Sequence, residues 1–147
     1  MKQMKTKILV SVVLMVLVFA CTKNSYNTKP TLKIKSMNGN VFDNGSTLIL
    51  QIQVTDKEGD VTDSLFMNRV RYNQKVRTTL RDSIYFKVPD APNSADGIIQ
   101  LDLDYNNYLA AAQNPLENDT IAFRFALKDK AGNVSDTITT DPIVVIR

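Results

Sequence analysis

Histidine and tryptophan are both missing from the 147 residues, and cysteine occurs once. Without histidine there is no Ser-His-Asp triad and no imidazole metal ligand. A lone Cys21 excludes an internal disulfide and every multi-Cys zinc pattern. With only five glycines, the chain carries no Gly-rich phosphate loop, and it has no G-x-S-x-G elbow and no Ser-x-x-Lys. Acidic excess is also missing, and the basic excess is confined to one end. Three of the 18 basic residues (Lys2, Lys5, Lys7) lie in the first seven positions, so the rest of the chain has 15 basic against 15 acidic residues. A neutral body gives no electrostatic reason to expect nucleic acid. These absences argue against an enzyme and against a resident cofactor, with Ca²⁺ the one exception considered below.

Ile8 to Ala20 runs thirteen residues without a charge and with one polar member, Ser11. That is the length of a signal-peptide apolar region and falls short of the about 20 residues that span a bilayer. The run follows Lys2, Lys5 and Lys7 and ends in Val18-Phe19-Ala20-Cys21. A small residue before a lone Cys, directly after an apolar run, resembles the bacterial lipoprotein lipobox, with Phe19 bulkier than the usual residue there. The resemblance implies cleavage after Ala20 and lipidation of the Cys21 thiol. Residues 1–20 then form a lipoprotein signal peptide. Residues 21–30 are the lipidated Cys and a polar tether without periodicity. Such a protein sits in the bacterial cell envelope, held by its lipid, with the outer membrane expected. In Bacteroidota lipoproteins an acidic stretch after the Cys resembles a surface-export signal. None follows Cys21, which leaves the periplasmic and the outer face both open.

Every strong pattern from residue 31 onward has period two. Leu48, Leu50, Ile52 and Val54 alternate with Ile49, Gln51 and Gln53. Ile121, Phe123, Phe125 and Leu127 alternate with Ala122, Arg124 and Ala126, and Ile99, Leu101, Leu103 and Tyr105 with Gln100, Asp102 and Asp104. Phe66, Val70 and Tyr72 form a shorter set of the same kind. Alternation puts one set of side chains in a core and the other in water, as in antiparallel sheets. Turn residues divide the chain into seven strands near 31–37, 46–55, 64–72, 83–88, 97–105, 120–128 and 138–146. One short helical segment is expected at Tyr108 to Gln113. The pattern predicts an all-β, seven-strand antiparallel sandwich of immunoglobulin-like type over residues 31–147. Lacking the Cys pair and Trp of antibody domains, it is nearer to fibronectin III or cadherin-like sandwiches.

Two segments carry a family resemblance. Val54-Thr55-Asp56-Lys57-Glu58-Gly59-Asp60-Val61 and Leu127-Lys128-Asp129-Lys130-Ala131-Gly132-Asn133-Val134-Ser135 resemble parts of Ig-like or cadherin-like domains in bacterial cell-surface proteins, notably small Bacteroidota lipoproteins. The resemblance implies a non-catalytic envelope module, structural or binding another envelope protein.

Three constellations remain. Asp56, Glu58 and Asp60, joined by Asp129 and Asn133 from the loop after the sixth strand, place oxygens at the two-residue spacing used by Ca²⁺ loops. The same residues also make good turns, with Asp bonding its own backbone and Gly59 and Gly132 at positive φ. Ser64, Ser83, Thr120 and Thr137 each stand between an Asp and an aliphatic residue. This resembles the acceptor motif of Bacteroidota periplasmic O-glycosylation, and it equally marks the end of a turn and the start of a strand. Finally, Arg69, Arg71, Lys75, Arg77 and Arg81 surround Tyr72. They suit an anionic glycan or headgroup, or else a solvated strand face opposite Asp102 and Asp104. Tyr85 and Tyr108 are candidates for stacking on sugars.

Overall fold

A computed structural model describes residues 28–59, 61, 63–73, 82–89, 95–110 and 117–147. The signal segment, Cys21 and Asp60 lie outside the described residues. Nine strands follow in chain order: β1 (Thr31–Met37), β2 (Val41–Phe42), β3 (Thr47–Thr55), β4 (Ser64–Arg71), β5 (Ser83–Lys87), β6 (Asp96–Asp104), β7 (Asp119–Lys128), β8 (Ile138–Thr139) and β9 (Ile143–Val145). Each of the seven expected strands is present. The last is divided into β8 and β9 around Thr140, Asp141 and Pro142. Proline brings no N–H to a ladder, and Thr140 fills the gap: its hydroxyl accepts from the Phe123 N–H at 3.0 Å, and its N–H donates to the Phe123 carbonyl at 2.9 Å. Strand β2, too short to show a period, pairs in parallel with β9.

The strands form two sheets. One has the order β1-β3-β6, and the other β2-β9-β7-β4-β5 with β8 beside β7. All pairs except β2–β9 are antiparallel. Between the sheets lies one hydrophobic core. Leu48, Leu50, Ile52 and Val54 on β3 and Ile121, Phe123, Phe125 and Leu127 on β7 are fully buried, as their alternation requires. The Phe123 and Phe125 rings lie 6.3 Å apart, in the range of favourable tilted pairs.

Two expectations are corrected. A helical turn covers Tyr105–Leu109 and ends at an extended Ala110, so it begins three residues before the expected segment, of which residues 111–113 lie outside the described residues. Asp104 fixes its start by accepting the Asn107 N–H at 2.9 Å, and the Ala110 N–H closes a wide turn onto the Tyr105 carbonyl at 2.6 Å. The Tyr105 hydroxyl, meanwhile, donates to the Ile146 carbonyl at 2.7 Å and ties this corner to the end of the chain.

On β4 the faces are reversed relative to expectation. Leu65 and Met67 are buried, whereas Phe66 and Val70 are half-buried and Tyr72 is exposed. Register decides this. Leu65 lies opposite Leu127 and Met67 opposite Phe125, so only the odd-numbered side chains share the core face of β7. A slip of one residue would turn every side chain over. Met67→Ala is therefore expected to lower unfolding free energy by about 2–5 kcal/mol. Tyr72→Ala should change it by no more than about 0.5 kcal/mol. Urea denaturation of the two variants measures both.

Candidate functional site

The loops after β3 and β7 meet at one end of the sandwich, because Ser64 lies opposite Lys128. Here the sequence offered either a cation site or a pair of turns. Asp56 is buried, and its Oδ1 accepts the Glu58 N–H at 3.1 Å, while its carbonyl accepts from Gly59 at 3.2 Å. Gly59 has φ +72°, a region that favours glycine. Asp129 is fully buried and bonded more completely. Its Oδ1 accepts the Asn133 N–H at 2.7 Å and its Oδ2 the Asn133 side-chain amide at 2.9 Å. Its carbonyl accepts from Gly132, at φ +91°. Glu58 is exposed. Among the described residues no group of three or more acidic, His or Cys side chains is gathered closely enough to hold a metal. Asp56 and Asp129 thus cap two turns, with Asn133 supplying donors to Asp129, and Asp60 lies outside the described residues.

The opposite end holds a charge cluster whose arrangement sequence reasoning missed. Once Leu65 and Met67 face inward, Arg69 and Arg71 must follow. Their side chains are only 8% and 5% exposed. Both reach Asp82 Oδ1: Arg69 Nε at 3.1 Å, Arg71 Nε at 3.1 Å and Arg71 Nη2 at 2.7 Å. Arg69 Nη1 donates to the Tyr108 carbonyl at 2.7 Å, and the Arg69 N–H donates to the Asp82 carbonyl at 2.7 Å. Burial pulls the Arg69 guanidinium below its ordinary pKa. The like charge of Arg71 adds to that, while the hydrogen bond and charge of Asp82 oppose it. Nearby, buried Asp119 pairs with Arg147.

The expected partners Asp102 and Asp104 lie elsewhere. Asp102 accepts from Gln100 on the other sheet. Asp104 caps the helical turn, and the Asn107 side-chain amide, followed by the Asn107 N–H, holds its carboxyl below the usual range. Asp82 meets Arg69 because it directly precedes β5 in the β4–β5 register, a juxtaposition for which the sequence alone gave no signal. Lys75, Arg77 and Arg81 lie outside the described residues.

The four Asp-(Ser/Thr)-aliphatic motifs fall at strand starts. Ser64 opens β4, Ser83 opens β5, Thr120 is second in β7, and Thr137 directly precedes β8. Ser83 and Thr137 are exposed, while Ser64 and Thr120 are half-buried. Tyr85 is 72% exposed, and its ring lies 5.0 Å from that of Phe66. Tyr108 is instead packed against Phe86, with ring centroids 6.1 Å apart.

No family model matches this chain, and no curated protein matches it. Among solved structures it is similar to Spo0M, the sporulation control protein from Bacillus subtilis, with 12% identity and a TM-score of 0.41. The match takes in 81% of this chain and 50% of that one, so this chain corresponds to half the length of that structure.

Two outcomes follow from the geometry. Asp82→Ala leaves two buried guanidinium groups without their carboxylate and is expected to cost about 3–5 kcal/mol of stability, whereas Asp102→Ala should cost at most about 0.5 kcal/mol; urea denaturation tests the pair. Thermal melts in excess Ca²⁺ and in chelator should coincide. A rise of several degrees in Ca²⁺, abolished in Asp56→Asn/Asp129→Asn, would instead assign a cation site to these loops.

Proposed function

We propose that this protein is a non-catalytic, lipid-anchored binding module of the bacterial envelope. Cys21 carries the lipid, residues 22–30 form the tether, and an Ig-like sandwich over residues 31–147 engages another envelope protein. An Ig-like arrangement is supported by the distribution of six of the seven expected strands. The first, second and fifth share one sheet and the third, sixth and seventh the other, as in immunoglobulin sandwiches, while the fourth, β5, lies beside the third instead of joining the first sheet.

The observation that carries the binding reading is the contrast between the ends and the outside of the sandwich. At the ends, Asp56, Asp129, Arg69, Arg71 and Asp82 hold turns and strands together. Outside, Tyr85, Tyr72, Val41 and Ile98 are each more than half exposed. Of these, Tyr85 has a second ring beside it, that of Phe66, and the pair gives the outer face of β4 and β5 an aromatic surface of the kind that interfaces use. Acyl chains contribute about 0.8 kcal/mol per buried CH₂, so two or more anchor such a module stably. If the strand-start hydroxyls accept glycans, Ser83 and Thr137 are the accessible ones.

A glycan ligand is the second reading, favoured by the exposed Tyr85. The anchor is tested by mass spectrometry of the protein from its native membrane. The mature chain should begin at Cys21 with diacylglycerol on the thiol, and Cys21→Ser should leave an unlipidated chain that no longer fractionates with the membrane. An uncleaved, unmodified chain beginning at Met1 would refute it. Site-specific photocrosslinking from position 85 in cells tests the module: a discrete crosslinked envelope species is expected.

A further inference from the structure

The two outer faces of the sandwich differ in charge. On the β1-β3-β6 sheet, Lys33 and Lys35 are mixed with Asp96 and Asp102. On the larger sheet, the outward positions are those opposite in phase to Leu65, Met67, Phe123 and Phe125. The charged side chains at these positions are Lys87, Arg124 and Lys128, and none of the described residues there is a carboxylate. Asp63, just before β4, sits at the rim and lies 3.7 Å from Lys128.

The most exposed aromatic ring of the described residues stands on this cationic face. Tyr85 is two residues from Lys87 on β5, so both point outward about 7 Å apart. Phe66, opposite Tyr85, supports the ring from β4. Beside it lies a recess of about 560 Å³ lined by Asp63, Ser64, Tyr85, Lys87 and Lys130, among others. Ser83 and Asn68, joined by a 3.0 Å hydrogen bond, continue the polar surface along the face. The depression is open along the face, so a chain of saccharide rings could lie across it. A ring face for stacking, hydroxyl and amide groups for sugar hydroxyls, and three strand cations against the single rim carboxylate of Asp63 together define the ligand chemistry.

We propose that the outer face of β4 and β5 binds an acidic saccharide, with a sugar ring stacked on Tyr85 and its carboxylate held by Lys87, Arg124 extending the cationic track for a longer chain. The proposal rests on the reading of this domain as a binding module. The test is native affinity electrophoresis of the full chain in nonionic detergent, with polygalacturonate in the gel as the probe and dextran as the neutral control. Polygalacturonate should retard the chain and dextran should not. Tyr85→Ala should weaken retardation about tenfold in apparent Kd, and Tyr85→Phe, which keeps the ring, should not. Lys87→Ala should weaken binding and flatten its dependence on salt. Because Tyr85 and Lys87 lie on the surface, all these variants should keep the parent melting temperature.

Absence of retardation by polygalacturonate would overturn the proposal. So would retardation unchanged in Tyr85→Ala, which would mean charge attraction alone. Binding to phosphatidylglycerol vesicles without binding to polygalacturonate would overturn it as well. If polygalacturonate fails while photocrosslinking from position 85 still captures an envelope protein, the saccharide is refuted and the module reading stands.

Discussion

The row Leu48, Leu50, Ile52, Val54 on β3 faces the row Ile121, Phe123, Phe125, Leu127 on β7, and the rest of the fold is arranged around that contact. These strands are nine and ten residues long, and each lies inside its own sheet, with β1 and β6 flanking β3 and with β4 and β9 flanking β7. Burial of such side chains contributes about 1.5–3 kcal/mol each before conformational entropy is counted. Once the two rows meet, the phase of each neighbour is set by register, because opposed residues in an antiparallel pair share a face.

That constraint explains why arginine lies within the sandwich. Strand β4 is apolar on both faces over part of its length. In phase with β7 it buries Leu65 and Met67, and the same phase carries Arg69 and Arg71 inward at the far end. Buried charges are costly unless paired. Asp82, delivered by the start of β5, meets both guanidinium groups, and the Tyr108 carbonyl in the helical turn takes a further donor. The cluster ties β4, β5 and the β6–β7 crossing together. The turn end follows the same economy with backbone donors: Asp56 and Asp129 stay buried because N–H groups of their own loops reach the carboxylates.

What the sequence by itself determined was the class of fold and the place of its elements. Period-two alternation over β3, β6 and β7 and the Gly, Asn and Pro breaks between them suffice for that, since each is a local property of the chain. The turn chemistry around Asp129, Gly132 and Asn133 was equally legible, because an Asp side chain bonds amides only a few residues away. Tertiary structure decided the phase of β4, where Leu65 and Met67 compete with Phe66, Val70 and Tyr72 on nearly equal hydrophobicity. It decided the pairing of Arg69 and Arg71 with Asp82 and the division of the last strand at Pro142. It also decided that Tyr85 is exposed on a cationic face while Tyr108 is packed against Phe86. Each of these depends on which strand lies opposite which, and a single strand carries no record of its neighbour's register.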